Sequence, residues 1–204
     1  MERHPGAGLN VKVFVGGVSG VGKSTFVGAL ALASRGFRAV RTSDLMFEAF
    51  NLQYGDYQAL RTVASDTKDA AMVSIVNSVL DAAERQGVNI VVDAHYLNFT
   101  GDASRRVVGP WIRRFDVLIV LEAQPVEILR RIRADPSRVD RYPRGGDGEE
   151  LKNIAEALTL TRTEAFALSE RYDLPLLVIQ NSREPEDAVN DFLTGSAEFG
   201  AGRD

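Results

Sequence analysis

The sequence predicts an α/β fold, a five-stranded parallel sheet flanked by helices. Three observations carry this. Short runs of apolar residues alternate along the chain with longer segments of helical period. The short runs are apolar throughout, as in strands buried on both faces of a parallel sheet, and do not alternate as half-exposed strands do. Strand followed by helix, repeated along the chain, is the order in which parallel strands are joined by helical crossovers.

Val11–Gly16 is the first strand, and its uninterrupted apolar character places it centrally. Gly22–Ser34 follows as a helix closed by Gly36. Phe37–Thr42 is the second strand, and Asp44–Leu52 is a short helix that Asp44 is placed to cap. Asp56–Gln86 is helical, with a break near Ser65-Asp66 where a new helix starts. Val88–Val92 is the third strand and runs into Asp93-Ala94-His95. Tyr96–Pro110 shows no period and carries Gly101, Gly109 and Pro110, which predicts a long loop.

Phe115–Leu121 is the fourth strand and Pro125–Arg133 a helix. Asp135–Gly148 holds two prolines and three glycines, so it is a second loop. Glu149–Tyr172 is a long helix, Pro175–Ile179 the fifth strand and Pro185–Leu193 a terminal helix. The ends, about 1–9 and 195–204, are expected to be disordered. The length of 204 residues suits one domain.

Composition narrows the function classes. The net charge of −4 supplies no basic field for nucleic acid or an anionic membrane. With no cysteine, thiolate catalysis, disulfides and cysteine zinc sites are excluded. Only His4 and His95 are present, too few for a histidine metal cluster. No apolar run reaches the length of a membrane span, and the first ten residues lack an apolar targeting core, so the expected location is the cytoplasm. Of the 24 cationic residues, four are lysine and 20 are arginine, the side chain suited to bidentate phosphate contacts.

The sharpest signal is Gly17-x4-Gly22-Lys23-Ser24 between an apolar strand and a helix, the full phosphate-loop pattern. Backbone N–H groups from Gly17 through Gly20, Val21 and Gly22 form an anion nest at the positive end of the helix. Lys23 is placed to reach the terminal phosphates of ATP and the Ser24 hydroxyl to ligate Mg²⁺, with Thr25 as a supporting hydroxyl. Asp93 ends an apolar strand, where a carboxylate acts on the same metal. His95 lies two residues on and points to the same side, as a weaker candidate for the acceptor. No Asn-Lys-x-Asp string of the GTPases occurs. Arginines placed after several strands suit phosphoryl transfer, in which positioning and charge neutralisation dominate.

Several blocks together resemble the small P-loop nucleotide kinases, most closely the archaeal-type adenylate kinases. They are GGVSGVGKST (16–25), TSDLMFEAF (42–50), QALRTVA (58–64) and IVVDAHY (90–96), followed by VLIVLEAQPVEILRRIRADPSR (117–138) and ALTLTRTEAF (157–166). The resemblance implies a P-loop kinase fold with an acceptor-binding helical segment at about 44–87 and a small lid at about 134–148. It puts Arg61 on the acceptor's phosphate and Asp44 at the acceptor site. Arg131, Arg138, Arg141 and Arg162 are then the catalytic arginines that, with Lys23, neutralise the migrating group. It implies ATP as donor, AMP as the favoured nucleoside monophosphate acceptor, Mg²⁺, and a homo-oligomer.

The segment 96–110 departs from the family pattern, keeping only Gly-Pro-Trp at 109–111. Two other functions fit the same chemistry. One is a kinase of a hydroxyl-bearing metabolite or antibiotic with Asp44 as base; the other is an ATP-binding switch with no acceptor.

Overall fold

The computed structural model describes residues 10–34, 36–100, 103–135, 147–181 and 184–200. The first half runs β1 (Lys12–Gly16), α1 (Lys23–Ala33), β2 (Phe37–Arg41), α2 (Thr42–Ala49), α3 (Tyr57–Thr62), α4 (Ser65–Gln86) and β3 (Asn89–Asp93). A hairpin of β4 (Leu97–Thr100) and β5 (Ala103–Arg106) and a 3₁₀ helix (Pro110–Arg114) follow. The chain continues through β6 (Val117–Glu122), α5 (Pro125–Ala134), α6 (Asp147–Tyr172), β7 (Leu176–Gln180) and α7 (Pro185–Gly200).

The main sheet has five parallel strands in the order β2-β3-β1-β6-β7, so the fold class expected from the sequence is the one observed. The winding reverses at β1, which lies between β3 and β6. Each face of β1 feeds a separate core, as the two-residue period of a strand dictates. Val13 and Val15 join Phe26 and Leu30 of α1 and Ile128 and Ile132 of α5. Phe14, on the other face, joins Val76 and Leu80 of α4, Trp111 and Phe115. The long α6 serves both cores, with Ile154 and Ala157 in the first and Ala165 and Leu168 in the second.

Register sets the ends of β3 and β1 one residue apart, with β6 running on beside them to Glu122. Val15 pairs with Asp93 on one side and Ile119 on the other, and Gly16 pairs with Val120. The turn out of β3 is pinned against this edge by Tyr96. Its ring is fully buried, meets Phe14 edge-on at 4.9 Å, and its hydroxyl donates to the Ile119 carbonyl at 3.0 Å. A Cβ on Gly16 would sit 2.2 Å from two carbons of that ring, so the close approach demands glycine.

Four expectations are corrected. The segment 96–110 is no plain loop: Leu97–Thr100 pairs antiparallel with Ala103–Arg106, and a 3₁₀ helix follows. The strands are four residues each, too short to show a period, and their pairing is a tertiary property; the Gly-Asp pair at 101–102 is the sequence signal that favours a hairpin. Asp44 does not cap α2, which starts two residues earlier, at Thr42; Arg41 occupies the cap position, with no side-chain cap bond. The last helix continues past Leu193 to Gly200, through residues 195–200 that were expected to be disordered, with Ala197 and Glu198 favouring the extension. Asp147 and Gly148, expected in the second loop, already belong to α6.

Burial raises the Tyr96 pKa well above that of a free phenol. A raised folded-state value means the stabilisation is complete below the unfolded value, about 10, and is lost as pH rises beyond it. Tyr96→Phe is therefore expected to cost about 1 kcal/mol near neutral pH, the worth of one hydrogen bond. It should also flatten the fall in stability as pH rises above about 10. Urea titrations of both proteins from neutral pH to above that value measure both effects.

Candidate active site

The phosphate loop closes the central strand and opens α1. Gly17, Gly20 and Gly22 hold φ of +153°, +82° and +98°. Lys23, the first residue of α1, is buried, and its Nζ donates to the carbonyls of Gly17 at 3.0 Å and Val18 at 3.1 Å, which folds the lysine back over the loop. Ser24 Oγ donates to Asp93 Oδ2 at 2.6 Å, so the two residues expected to share a metal are in direct contact. Thr25 is exposed.

Asp93 is buried and is held by its backbone as well as its side chain: Thr42 Oγ1 donates to its carbonyl at 2.9 Å. His95 Nδ1 lies 3.2 Å from the Gly17 carbonyl; a carbonyl only accepts, so Nδ1 carries the proton. The turn after β3 thus meets the end of β1 twice, through His95 at the Gly17 carbonyl and Tyr96 against Gly16.

Beside the loop lies a cavity of about 710 Å³, within the size range of small-molecule sites. Val18 and Ser19 of the phosphate loop, Thr42 and Ser43 of α2, and Asp93 and His95 line one part of it. Arg61 on α3 and Lys68 and Asp69 on α4 line another, with Arg105 coming from the hairpin. Tyr57, Phe99 and Trp111 add aromatic surface. Arg105 pairs with Asp69, and that hydrogen bond raises the arginine's pKa. Lys68 Nζ donates to the Leu60 carbonyl at 3.4 Å.

Asp44, Arg162 and Arg131, also expected at the site, do not line this cavity. Asp44 accepts from Ser43 Oγ at 3.2 Å and faces Arg41 Nε at 3.6 Å. Its hydrogen bond with Tyr54 is the main cause of that tyrosine's raised pKa. Arg162 on α6 faces Glu122 at 3.5 Å and covers the Phe166 ring at 5.7 Å. Arg131 on α5 lies beneath the phosphate loop, where NH1 donates to the Val21 carbonyl at 3.0 Å. Arg138 and Arg141, with most of the expected lid, fall outside the described residues.

The structure adds partners that sequence reasoning missed. Thr42, Asp69, Arg105 and Trp111 reach the cavity from four elements distant in sequence. Asn181, just past β7, sits against the phosphate loop with Nδ2 donating to the Val21 carbonyl at 2.8 Å. Its position at the carboxyl end of a parallel strand was the available signal, since ligand sites gather there.

Residues 13–152 match the AAA domain family, well over half of the chain. The chain belongs to that AAA domain family. No curated protein matches it. Among solved structures, this AAA-domain chain is similar to a shikimate kinase from Bacteroides thetaiotaomicron, with a TM-score of 0.63 at 17% identity over 92% of this chain and 98% of the other. A shikimate kinase from Acinetobacter baumannii, solved with shikimate, has a TM-score of 0.63 at 11% identity over 92% and 93%. A gluconokinase from Sinorhizobium meliloti has a TM-score of 0.54 at 14% identity over 93% of each chain. At such identities the likeness is one of fold, and the fold is that of the P-loop kinases. No helix among the described residues is long and apolar enough to cross a membrane.

Thr42→Val is expected to destabilise the protein by about 1–2 kcal/mol, because the Asp93 carbonyl loses its buried donor. Thr42→Ser should keep most of that stability, and chemical denaturation of the three proteins gives the comparison.

Proposed function

We propose that the protein is an ATP-dependent phosphotransferase that passes the γ-phosphoryl group to a small anionic acceptor bearing a hydroxyl group. The observation that carries this reading is the cavity itself. Its wall includes Val18 and Ser19 of the phosphate loop and Asp93 as well as Arg61, whose guanidinium makes no hydrogen bond or ion pair with another described residue. An acceptor held there by its anionic group through Arg61 would share one cavity with the nucleotide's terminal phosphates. The fold likeness to kinases named for shikimate and gluconate supports a metabolite acceptor over a macromolecule. A nucleotide switch without an acceptor leaves the cavity without a use.

A hydroxyl acceptor needs a proton taken from it. Asp44, the base expected from the sequence, is not part of the cavity wall, whereas Asp93 and Asp69 are. Asp69 is paired with Arg105 and Asp93 with Ser24; Asp93 is the one beside the phosphate loop, and its carboxylate oxygen not bonded to Ser24 is proposed for the role. Ser24 and Asp93 also offer two hard oxygen ligands in contact, a set that suits Mg²⁺ when phosphates and water complete its shell. The bound ion would neutralise charge on the phosphates. Lys23 would add to that neutralisation.

A second reading, transfer to a nucleoside monophosphate such as AMP, is favoured by one observation. The aromatic rings of Tyr57, Phe99 and Trp111 share the cavity with Arg61, as flat surface for a base beside a cation for a phosphate. That reaction needs no general base, because the attacking oxygen is already anionic.

An ADP-release assay with shikimate, gluconate, AMP, CMP, UMP, GMP and dTMP, followed by ³¹P NMR of the product, separates the readings. A phosphomonoester is expected under the first and a phosphoanhydride under the second; no turnover with any acceptor sinks both. Arg61→Gln is expected to raise the acceptor KM by about tenfold or more while ATP binding is unchanged. Ser24→Ala should abolish the additional thermal stabilisation that Mg²⁺ gives over ATP alone, read by melting in ATP with and without a chelator.

A further inference from the structure

Val21 is fully buried, and its carbonyl accepts from two side chains of different elements. Arg131 NH1 donates at 3.0 Å from α5, and Asn181 Nδ2 at 2.8 Å from just past β7. A carbonyl has two lone pairs, so this one is fully occupied. The donors are themselves fixed. Arg131 NH2 donates to the Asn181 carbonyl at 3.0 Å, Arg131 Nε to Glu127 at 2.8 Å, and the Asn181 N–H to the Glu122 carbonyl at 2.7 Å. Every nitrogen of Arg131 is thus committed to a protein oxygen. Asn181 is 5% exposed and lies so close to the loop that a Cβ on Gly22 would be 2.3 Å from its Nδ2.

A trans peptide points its N–H opposite to its C=O. Holding the Val21 carbonyl toward α5 and β7 therefore turns the Gly22 N–H the other way, toward the inside of the phosphate loop. A cationic donor on the carbonyl also polarises the peptide and makes that N–H a stronger donor. We infer that Arg131 and Asn181 are positioning residues for nucleotide binding, a bracket that orients the Val21–Gly22 peptide so that its N–H serves a phosphate oxygen. Glu127 completes the bracket; hydrogen bonds from Arg130 and then Arg131 hold its pKa down at about 2, so it stays ionised and keeps the guanidinium in place at any working pH. This goes beyond the proposed transfer and holds for either acceptor. It also gives Arg131 a task different from contact with the migrating phosphoryl group, the role its resemblance to a lid arginine implied.

The test is calorimetric titration of the full chain with Mg·ATP and Mg·ADP. Asn181→Ala should weaken both nucleotides about tenfold, the equivalent of one hydrogen bond. Asn181→Asp should be worse than alanine, because a carboxylate cannot donate to the Val21 carbonyl and brings negative charge under the loop. Arg131→Lys should retain more affinity than Arg131→Gln, and the Asn181→Ala/Arg131→Gln double variant should lose less than the sum, since both act on one oxygen. Fluorescence of Trp111, the single tryptophan, reports whether the cavity side remains intact.

A merely structural role would lower the melting temperature without producing the alanine-over-aspartate order or the equal loss for ADP and ATP. Native affinity for both nucleotides in Asn181→Ala and Arg131→Gln overturns the inference. So does a loss in Arg131→Gln confined to ATP and to kcat, which would put the guanidinium on the transferring phosphate. If Asn181→Ala does not fold, Asn181→Ser and the two Arg131 variants give the same decision.

Discussion

The site depends on the parallel pairing of β1 between β3 and β6. Backbone hydrogen bonds in that register set Val15 beside Asp93 and Gly16 beside Val120, so β3 and β1 finish within one residue of each other while β6 runs on to Glu122. From that shared edge the phosphate loop, the Asp93 carboxylate and the turn carrying His95 and Tyr96 all project. A slip by one residue would turn every side chain of a strand to the other face and take Asp93 away from Ser24. Tyr96 locks the arrangement, since its ring occupies the space that any side chain at Gly16 would need and its hydroxyl reaches across β1 to β6.

Around this edge the cations are divided by what holds them. Lys23 and Arg131 are bound to loop carbonyls, one above the loop and one beneath it. Arg105 is paired with Asp69 at the cavity, and Arg162 is set over Phe166 and against Glu122. Arg61 alone, among the cavity's described cations, is without such a contact, which is why the charge of the proposed acceptor is given to it. Partnered arginines shape the site, and an unpartnered one is available to a ligand. Phosphoryl transfer needs both kinds, because it relies on a rigid cradle and on charge placed where the substrate carries it.

Much of the fold is legible in the sequence. Long helices with a clear period and continuously apolar strands were placed to within a few residues, because burial leaves its period in the sequence. The phosphate loop was legible for a different reason: it is contiguous, so its glycines, lysine and serine stand in one short string. Asp93 could be found because it ends a strand. The hairpin at 97–106 was missed, since two four-residue strands leave too little pattern to see. The role of Asp44 was misjudged as a cap because cap preference is local, whereas α2 begins directly from the strand at Thr42.

By itself, then, the sequence determined the parallel α/β order, the phosphate loop and the residue types on offer for its chemistry, all of which are written in neighbouring positions. Only the tertiary structure decided which arginines are paired with protein groups and which is left open to the cavity. It alone set Asn181 against Val21 across 160 positions, and gathered Thr42, Asp69, Arg105 and Trp111 around one cavity. Those outcomes depend on strand register and on helix packing over the sheet. Such contacts join residues far apart in the chain, and no local pattern records them.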